Sequence, residues 1–337
     1  MIYRETEMRP QKIIRNFHLL SSINSFSCIR LGIVMAVMTS MPNTSSNIEI
    51  RAPHAGDRFP DDVPPPRPDE DAPRWRRSQV AVVDGQVVGT ASVALFPVTD
   101  SYFCEVNVTS PCRRQGIGTQ LYAAVYATIN PQFPVLARAM GSQPQRREFA
   151  DSLGCSVLIQ CPAPWVDPTS QPAQQWIADQ KLPASHVTVT MDDLPVEQVV
   201  AAWATYFDWA HQPFGTVHAE RIPDMWGAYS QEVDPHLSML SLDRNSGEIV
   251  AFSLVTPDAW EGRTMIVSET VKQSQPNGVE LLKATVAASL RVLAQRGAHR
   301  VEIEGHTTDP HLPGLVEGLP PGGGDPMDIL KLAAPYD

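Results

Sequence analysis

The stretch of the chain best equipped for chemistry is a turn with two glycines one residue apart. Gly116 and Gly118 lie in the run from Val106 to Leu121, VNVTSPCRRQGIGTQL, directly after Arg113 and Arg114. Glycines let consecutive backbone amides turn into one concavity with no Cβ in the way. A helix opening at such a turn aims its positive end at the same spot. Together these make an anion site suited to a pyrophosphate, with the two arginines adding charge at its edge. A dinucleotide fingerprint is excluded, because the third glycine position of GxGxxG holds Leu121, and no Walker lysine follows. Glu105 is the nearest carboxylate on the strand ahead of the turn. It reads either as a group that can take a proton or as a solvent-facing strand residue.

The elements that must position this turn follow from the local pattern. Two β-branched runs around Asp84-Gly85 predict a hairpin, Gln79 to Phe96. A strand over Tyr102–Val108 leads into the turn and a helix over Gln120–Ile129 leaves it. A strand at Val135–Met140, a helix at Pro144–Leu153 stopped by Gly154, and a strand at Val157–Cys161 complete the order β-β-β-α-β-α-β. That order predicts a mixed α/β sheet with crossover helices. A fainter repeat follows: a hairpin from Met239 to Val255, a strand over 263–271, a helix over Gly278–Gln295 and strands over 300–304 and 329–333. The repetition predicts a duplicated domain.

Composition bounds the rest. The chain has 337 residues, 43% hydrophobic and 19% charged, which suits two soluble globular domains. Leu19–Met41 is too polar for a membrane span. The net charge of −11 argues against nucleic acid as a main partner. Five cysteines with no CxxC pair give neither a disulfide framework nor a structural zinc site. No histidine lies near Cys104 or Cys112, so both read as packed or loop thiols. Glu304, His306, Asp309 and His311 cluster in sequence, but Pro310 and Pro313 mark a loop and no metal site is expected. The 31 prolines gather at residues 60–73, 162–172 and 310–326 and mark seams. The organisation expected is an N-terminal extension over 1–42, a first domain over 43–161, a linker over 162–184 with a short helix at 174–179, and a second domain over 185–337. No export signal is evident, so the expected compartment is the cytoplasm.

Beyond the glycines, the run Arg113-Arg-Gln-Gly116-Ile-Gly118 resembles motif A of the GNAT superfamily of N-acetyltransferases. The hairpin VAVVDGQVVGTASVAL resembles that family's second and third strands, and Phe149-Ala-Asp-Ser-Leu153-Gly154 its later helix ending. The resemblance implies an α/β fold of two tandem GNAT-like domains, each a mixed central sheet flanked by helices, in a mycothiol synthase-like architecture. It implies that the amides of Arg114, Gln115, Gly116, Ile117, Gly118 and Thr119, with Arg113, hold the pyrophosphate of acetyl-CoA. Val106 and Val108 would pair with the pantetheine arm, and a strand amide would polarise the thioester carbonyl. An amine of a small molecule or peptide would then attack directly, with Glu105 as base. The family's tyrosine acid is replaced by Ala150, leaving Tyr102, Tyr122 or Cys104 as substitutes, of which Tyr102 is the expected acid.

The second copy departs from the motif. In 269–283 the arginine position holds Pro276 and the second glycine position Glu280, a carboxylate that would repel pyrophosphate. This half is therefore expected to be degenerate and to wall the acceptor pocket. The first copy departs too, since the family's two helices between its first strand and hairpin give way to the proline-rich interval. Besides the acetyltransferase, two other readings fit: a non-catalytic acyl-CoA sensor or scaffold, and an acyltransferase for a longer acyl chain.

Overall fold

The computed structural model describes residues 47–72, 74–260 and 263–335. The N-terminal extension expected over 1–42 lies outside them. The first half contributes β1 (Ile48–Arg51), β2 (Arg76–Val83), β3 (Gln86–Leu95), β4 (Tyr102–Val108), α1 (Ile117–Tyr126), β5 (Val135–Met140), α2 (Pro144–Ser152) and β6 (Ser156–Cys161). The interval read as a linker carries β7 (Trp165–Val166) and α3 (Gln171–Asp179). The second half contributes β8 (His186–Thr190), α4 (Val196–Ala210), α5 (Ile222–Tyr229), β9 (Met239–Asp243), β10 (Ile249–Trp260), β11 (Arg263–Thr270), α6 (Gly278–Gln295), β12 (Val301–Glu304), α7 (Leu312–Gly318) and β13 (Met327–Leu332).

These elements form two mixed sheets of the same plan. The first runs β1-β2-β3-β4-β5-β13-β6 and the second β8-β9-β10-β11-β12-β7. In each, an antiparallel meander meets a parallel neighbour at one point, β4 with β5 and β11 with β12. The two sheets exchange strands. β13, the last strand of the chain, inserts antiparallel between β5 and β6 of the first sheet. β7 leaves the first half to pair with β12 in the second sheet. The strand expected near 329–333 thus exists, but it completes the first sheet.

Local chemistry explains the elements. Asp84 and Gly85 both have positive φ, at 48° and 75°, as a two-residue hairpin turn demands. Gly154 and Gly297, at φ 74° and 75°, stop α2 and α6. α1 begins at Ile117, three residues before the helix read from periodicity, because Gly116 takes the left-handed N-cap conformation.

Burial sorts the two faces of each sheet. One face of the first sheet packs on α1 through Ala91, Val93, Tyr102, Cys104, Leu121 and Val125. The opposite face, with Leu136, Ile159, Cys161, Met327 and Ile329, packs on Trp203, Phe207, Phe214 and Ile222 from the α4–α5 segment. The same helices pack on Leu240, Phe252 and Leu254 of the second sheet. α6 covers the far face of that sheet through Leu281, Val286 and Leu290. One pair of helices therefore serves both sheets.

Among the described residues of 54–76 there is no helix, where a GNAT resemblance would place two. The proline-rich segment instead crosses β2 and β3, burying Val63 and setting Phe59 against Val80, Val82 and Val87. Its backbone is fastened by the Ser78 hydroxyl donating to the Arg67 carbonyl at 3.3 Å.

Candidate active site

At the end of β4 the chain makes a single 3-10 turn, Ser110–Cys112, before the glycines. Arg113 Nε donates back to the Val108 carbonyl at 2.8 Å, and Gln115 Nε2 donates to the Pro111 carbonyl at 3.2 Å. Arg114 at φ 63° and Gly116 at φ 80° are both left-handed, which folds the loop tightly into α1. Gly116 is the N-cap of α1, no side chain caps that helix start, and its first turn holds no acidic residue. The first amides of a helix have no partner inside it. A Cβ built on Gly116 would meet no atom within 4 Å apart from its chain neighbours, so the space on that side of the turn is open. At Gly118 a Cβ would lie 3.0 Å from the Phe149 ring, so α2 packs against the helix start at that glycine. Arg114 is exposed and pairs with Glu148 at 3.7 Å.

The proline-rich segment supports the turn from outside. Asp62 accepts from the Thr109 hydroxyl at 2.7 Å and from the Ser110 amide at 2.8 Å. Burial works against this carboxylate, but those hydrogen bonds outweigh it and hold the group below the usual carboxylate range.

Beside the turn the first sheet splays. The β4–β5 ladder consists of Tyr102 with Val135 and Phe103 with Leu136, and then ends. The Tyr102 amide donates to Pro134 O on the β5 side, whereas the Thr109 amide donates to Val88 O on the β3 side. Strand alternation therefore aims the backbone groups of Cys104, Val106 and Val108 into the gap. The Val108 carbonyl is taken by Arg113, and the amides of Val106 and Val108 line the opening. The structure thus gathers Val106, Val108, Arg113 and the loop Arg114–Thr119 at one end of the sheet.

Glu105 lies on the other face of β4, with Phe103 and Asn107. Arg146, in the first turn of α2, reaches across the splay to Glu105 Oε1 at 3.3 Å and Asn107 Oδ1 at 3.1 Å. Asn107 Nδ2 donates to Glu105 Oε1 at 3.0 Å. The carboxylate is partly exposed and held from two sides.

Tyr102 is not brought to Glu105. Side chains alternate along β4, so Tyr102 points to the α1 face, edge-on to Trp75 at 5.2 Å. It is 6% exposed and its hydroxyl accepts from the Asn130 amide at 3.3 Å. Tyr122 donates to Ala333 O at 2.7 Å and is fully buried. Burial pushes the Cys104 thiol up to about 12. All three belong to the core under α1.

The second half closes the corresponding place. Asn277, left-handed at φ 56°, is the N-cap of α6, as Gly116 is of α1. With Glu280 at the second glycine position, the motif spacing aligns Gly278 with Gly116, but Gly278 is the first helical residue. A Cβ on Gly278 would fall 2.3 Å from the His311 ring, so the imidazole covers this helix start. Thr270, one residue before the amide that bonds Val250 O, corresponds to Val108. Its amide donates to Asp309 Oδ2 at 2.8 Å. Glu280 stands in the first turn of α6. Strand amide, helix start and charge are all occupied by the chain's own side chains.

In the same splay Glu269, fully buried, accepts through Oε1 from the His306 amide at 2.8 Å and from the Tyr206 hydroxyl at 3.1 Å. His306 Nδ1 is 2.9 Å from that oxygen. Burial pushes the Glu269 carboxyl up to about 7, with His306 working against it. Burial alone would lower His306, but its bond to Glu269 and the nearby carboxylates raise it. Both groups bind protons more tightly folded than unfolded. The Glu269 contribution to stability is fully present below the ordinary carboxylate range and is lost as pH rises through about 7, while that of His306 is present below the ordinary imidazole range and is lost as pH rises above it. We expect the thermal midpoint to fall between pH 6 and pH 8, and Glu269→Gln to flatten that fall. A wild-type midpoint that rises across this window would contradict the assignment.

Sequence reasoning missed Arg146 and Asn107, which hold Glu105, and Asp62, which holds the loop. Asn107, two residues from Glu105, shares its strand face and was findable by alternation. Arg146 and Asp62 are 41 and 47 residues from their partners and carry no local signal. The helices α4 and α5 were also missed, although Val199, Trp203, Tyr206 and Ala210 repeat at helical spacing.

The model of the acetyltransferase (GNAT) family matches residues 49–130. No curated protein sequence matches the chain. Among solved structures, a tandem GNAT protein from the clavulanic acid biosynthesis pathway shares 17% identity. It covers 80% of this chain and 86% of its own, with a TM-score of 0.53. A GCN5-related N-acetyltransferase from Sphaerobacter thermophilus shares 16% identity over 75% of this chain and 79% of its own, with a TM-score of 0.51. At these identities the likeness is one of fold.

Proposed function

We propose that this chain, whose residues 49–130 match the acetyltransferase (GNAT) family model and whose fold is that of a tandem GNAT protein, is a tandem GNAT-superfamily protein whose first half is an acetyl-CoA-dependent N-acetyltransferase acting on a primary amine of a small molecule or peptide. The observation that carries the reading is the contrast between the two helix starts. At Gly116 the helix start has no side-chain cap and no acidic residue in its first turn, the nearby carboxylates Asp62 and Glu148 being engaged with Ser110 and Arg114, while the matching place in the second half is covered by His311 and Asp309 and carries Glu280 in its first turn. A polyanionic pyrophosphate suits the first and is repelled from the second.

In this reading the amides of Arg114–Thr119 and the Arg113 side chain hold the pyrophosphate, and the Val106 and Val108 amides pair with the pantetheine arm. Acetyl-CoA supplies the activated acetyl group. Glu105 takes a proton from the acceptor ammonium, directly or through water, leaving a neutral amine. The amine nitrogen attacks the thioester carbon, a C–N bond forms and the C–S bond breaks. The nitrogen gives its second proton to the leaving thiolate, yielding amide and free coenzyme A. Arg146 and Asn107 position Glu105. The expected compartment is the cytoplasm.

The test is Glu105→Gln. We expect kcat to fall roughly 100-fold or more, with acetyl-CoA affinity unchanged by calorimetry. Unchanged turnover would remove Glu105 from the mechanism. A second reading, a non-catalytic acyl-CoA sensor, is favoured by Ala150, which stands where the family places a tyrosine acid. Acetyl-CoA binding without thiol release against any amine of a broad panel would select it.

A further inference from the structure

Arg146 threads the opening between β4 and β5. α2, which carries it, lies on the α1 face of the first sheet, where Ala150 and Leu153 share a core with Leu121 and Val125. Glu105 and Asn107 alternate with Cys104, Val106 and Val108 along β4, so they lie on the opposite face with Phe103. The Arg146 guanidinium nevertheless ends 3.3 Å from Glu105 Oε1 and 3.1 Å from Asn107 Oδ1. Its side chain therefore crosses the sheet, and the splay past the end of the β4–β5 ladder is where it can. At 19% exposure it is held in that path.

The guanidinium arrives beside the strand amide assigned to the thioester. The ladder closes at Phe103 with Leu136. Val106, whose amide lines the opening, stands three residues further on, about 10 Å along the strand. Glu105 and Asn107 flank Val106, and Asn107 Nδ2 donates to Glu105 Oε1 at 3.0 Å. With the two bonds from Arg146 this makes a closed triangle of hydrogen bonds next to Val106. The space around that amide thus has three boundaries. On the α1 face lie Cys104 and Ala139, both buried in the core. At the narrow end stands the Phe103–Leu136 pair, with Leu136 fully buried. On the acceptor face stands the polar triangle.

An acyl tail longer than acetyl has to run against one of these boundaries. The first two are close-packed, and an inserted chain would force them apart. At the third, the tail would break bonds between a cation, a carboxylate and an amide, and would set methylene groups against the charges. We propose that Arg146 is the specificity-determining residue for the acyl group: it ends the opening just past the thioester, so that the protein takes acetyl-CoA and rejects long acyl chains. This rests on the acetyltransferase reading above and decides between it and an acyltransferase for a longer chain. The discrimination comes from the hydrogen bonds that hold the guanidinium, not from the bulk of the side chain.

The probes are acetyl-CoA, octanoyl-CoA and free coenzyme A, titrated by calorimetry into the full-length protein with no amine present, so that binding is read and not turnover. We expect the wild type to bind octanoyl-CoA roughly tenfold or more weakly than acetyl-CoA. In Arg146→Ala that gap should close to within a few-fold. Free coenzyme A is the reference: a variant that merely loosens the fold weakens all three ligands together and leaves the gap. Arg146→Met keeps the length of the side chain without its hydrogen bonds and should also lose the gap, and it carries the test if Arg146→Ala does not fold. A wild type that binds the two thioesters alike overturns the proposal, as does a folded variant that keeps the wild-type gap. If coenzyme A does not bind the wild type, the acetyltransferase reading falls and takes this one with it. If coenzyme A binds and the thioesters are not distinguished, only the assignment of Arg146 falls.

Discussion

Gly116→Glu should reduce acetyl-CoA affinity at least a hundredfold, to the point where calorimetry detects no binding. A carboxylate about 4 Å from one pyrophosphate charge, at an effective dielectric of about 20, costs about 4 kcal/mol. That corresponds to nearly a thousandfold in affinity. The replacement meets no steric barrier, since apart from its chain neighbours no atom lies within 4 Å of the Cβ position. It does meet a conformational one, because φ at Gly116 is +80° and a left-handed non-glycine residue costs about 1–2 kcal/mol. Gly116→Asn separates the two effects. Asparagine tolerates this conformation and adds no charge, so it should stay within roughly tenfold of wild type. Normal binding by the glutamate variant would remove the glycine turn as the cofactor site. Equal losses in both variants would make backbone shape, not charge, the determinant.

The second large effect concerns the end of the chain. A protein ending at Gly324 lacks β13, and we expect it not to fold. Met327, Ile329, Leu330 and Leu332 are all at most 6% exposed. Burying each contributes about 1.5–3 kcal/mol, or roughly 6–12 kcal/mol together, against a total stability of about 5–15 kcal/mol for most domains. The ladders to β5 and β6 are lost as well. Soluble protein with a cooperative urea transition like that of the full chain would overturn this. The point variant Leu330→Ala should cost about 2–5 kcal/mol and leave a folded protein in which acetyl-CoA binding can still be measured.

How much of this was legible in the sequence depends on the range of the contact. The hairpin at Asp84-Gly85, the strand Tyr102–Val108, the glycine turn and α6 are written in residues a few positions apart, and their elements stand where local pattern puts them. The place of β13 is not, because its partners at Val135–Met140 and Ser156–Cys161 are distant in sequence. An alternating apolar strand says that it will be buried, not in which sheet. Tyr102 and Glu105 are a different case, because the rule that separates them is local. Proximity in sequence grouped them, and the alternation of a strand set them on opposite faces. Arg146 could not be assigned to Glu105 because nothing near either residue encodes the approach of α2 to the splay. His311, read as a loop residue near Pro310 and Pro313, covers the start of α6, a contact that only the fold brings about.

The placement of β13 also sets a timetable for synthesis. β5 and β6 leave the ribosome long before residues 327–332 are made, with nearly all of the second half translated in between. At about 5–20 residues per second that interval is roughly ten to forty seconds. Throughout it the two strands flank a vacant position, each with an unpaired edge of the kind that invites wrong partners. The nascent first half therefore spends its whole early life as an incomplete sheet. Slow translation, low chaperone supply or raised temperature should affect the yield of this protein more than its final stability would suggest.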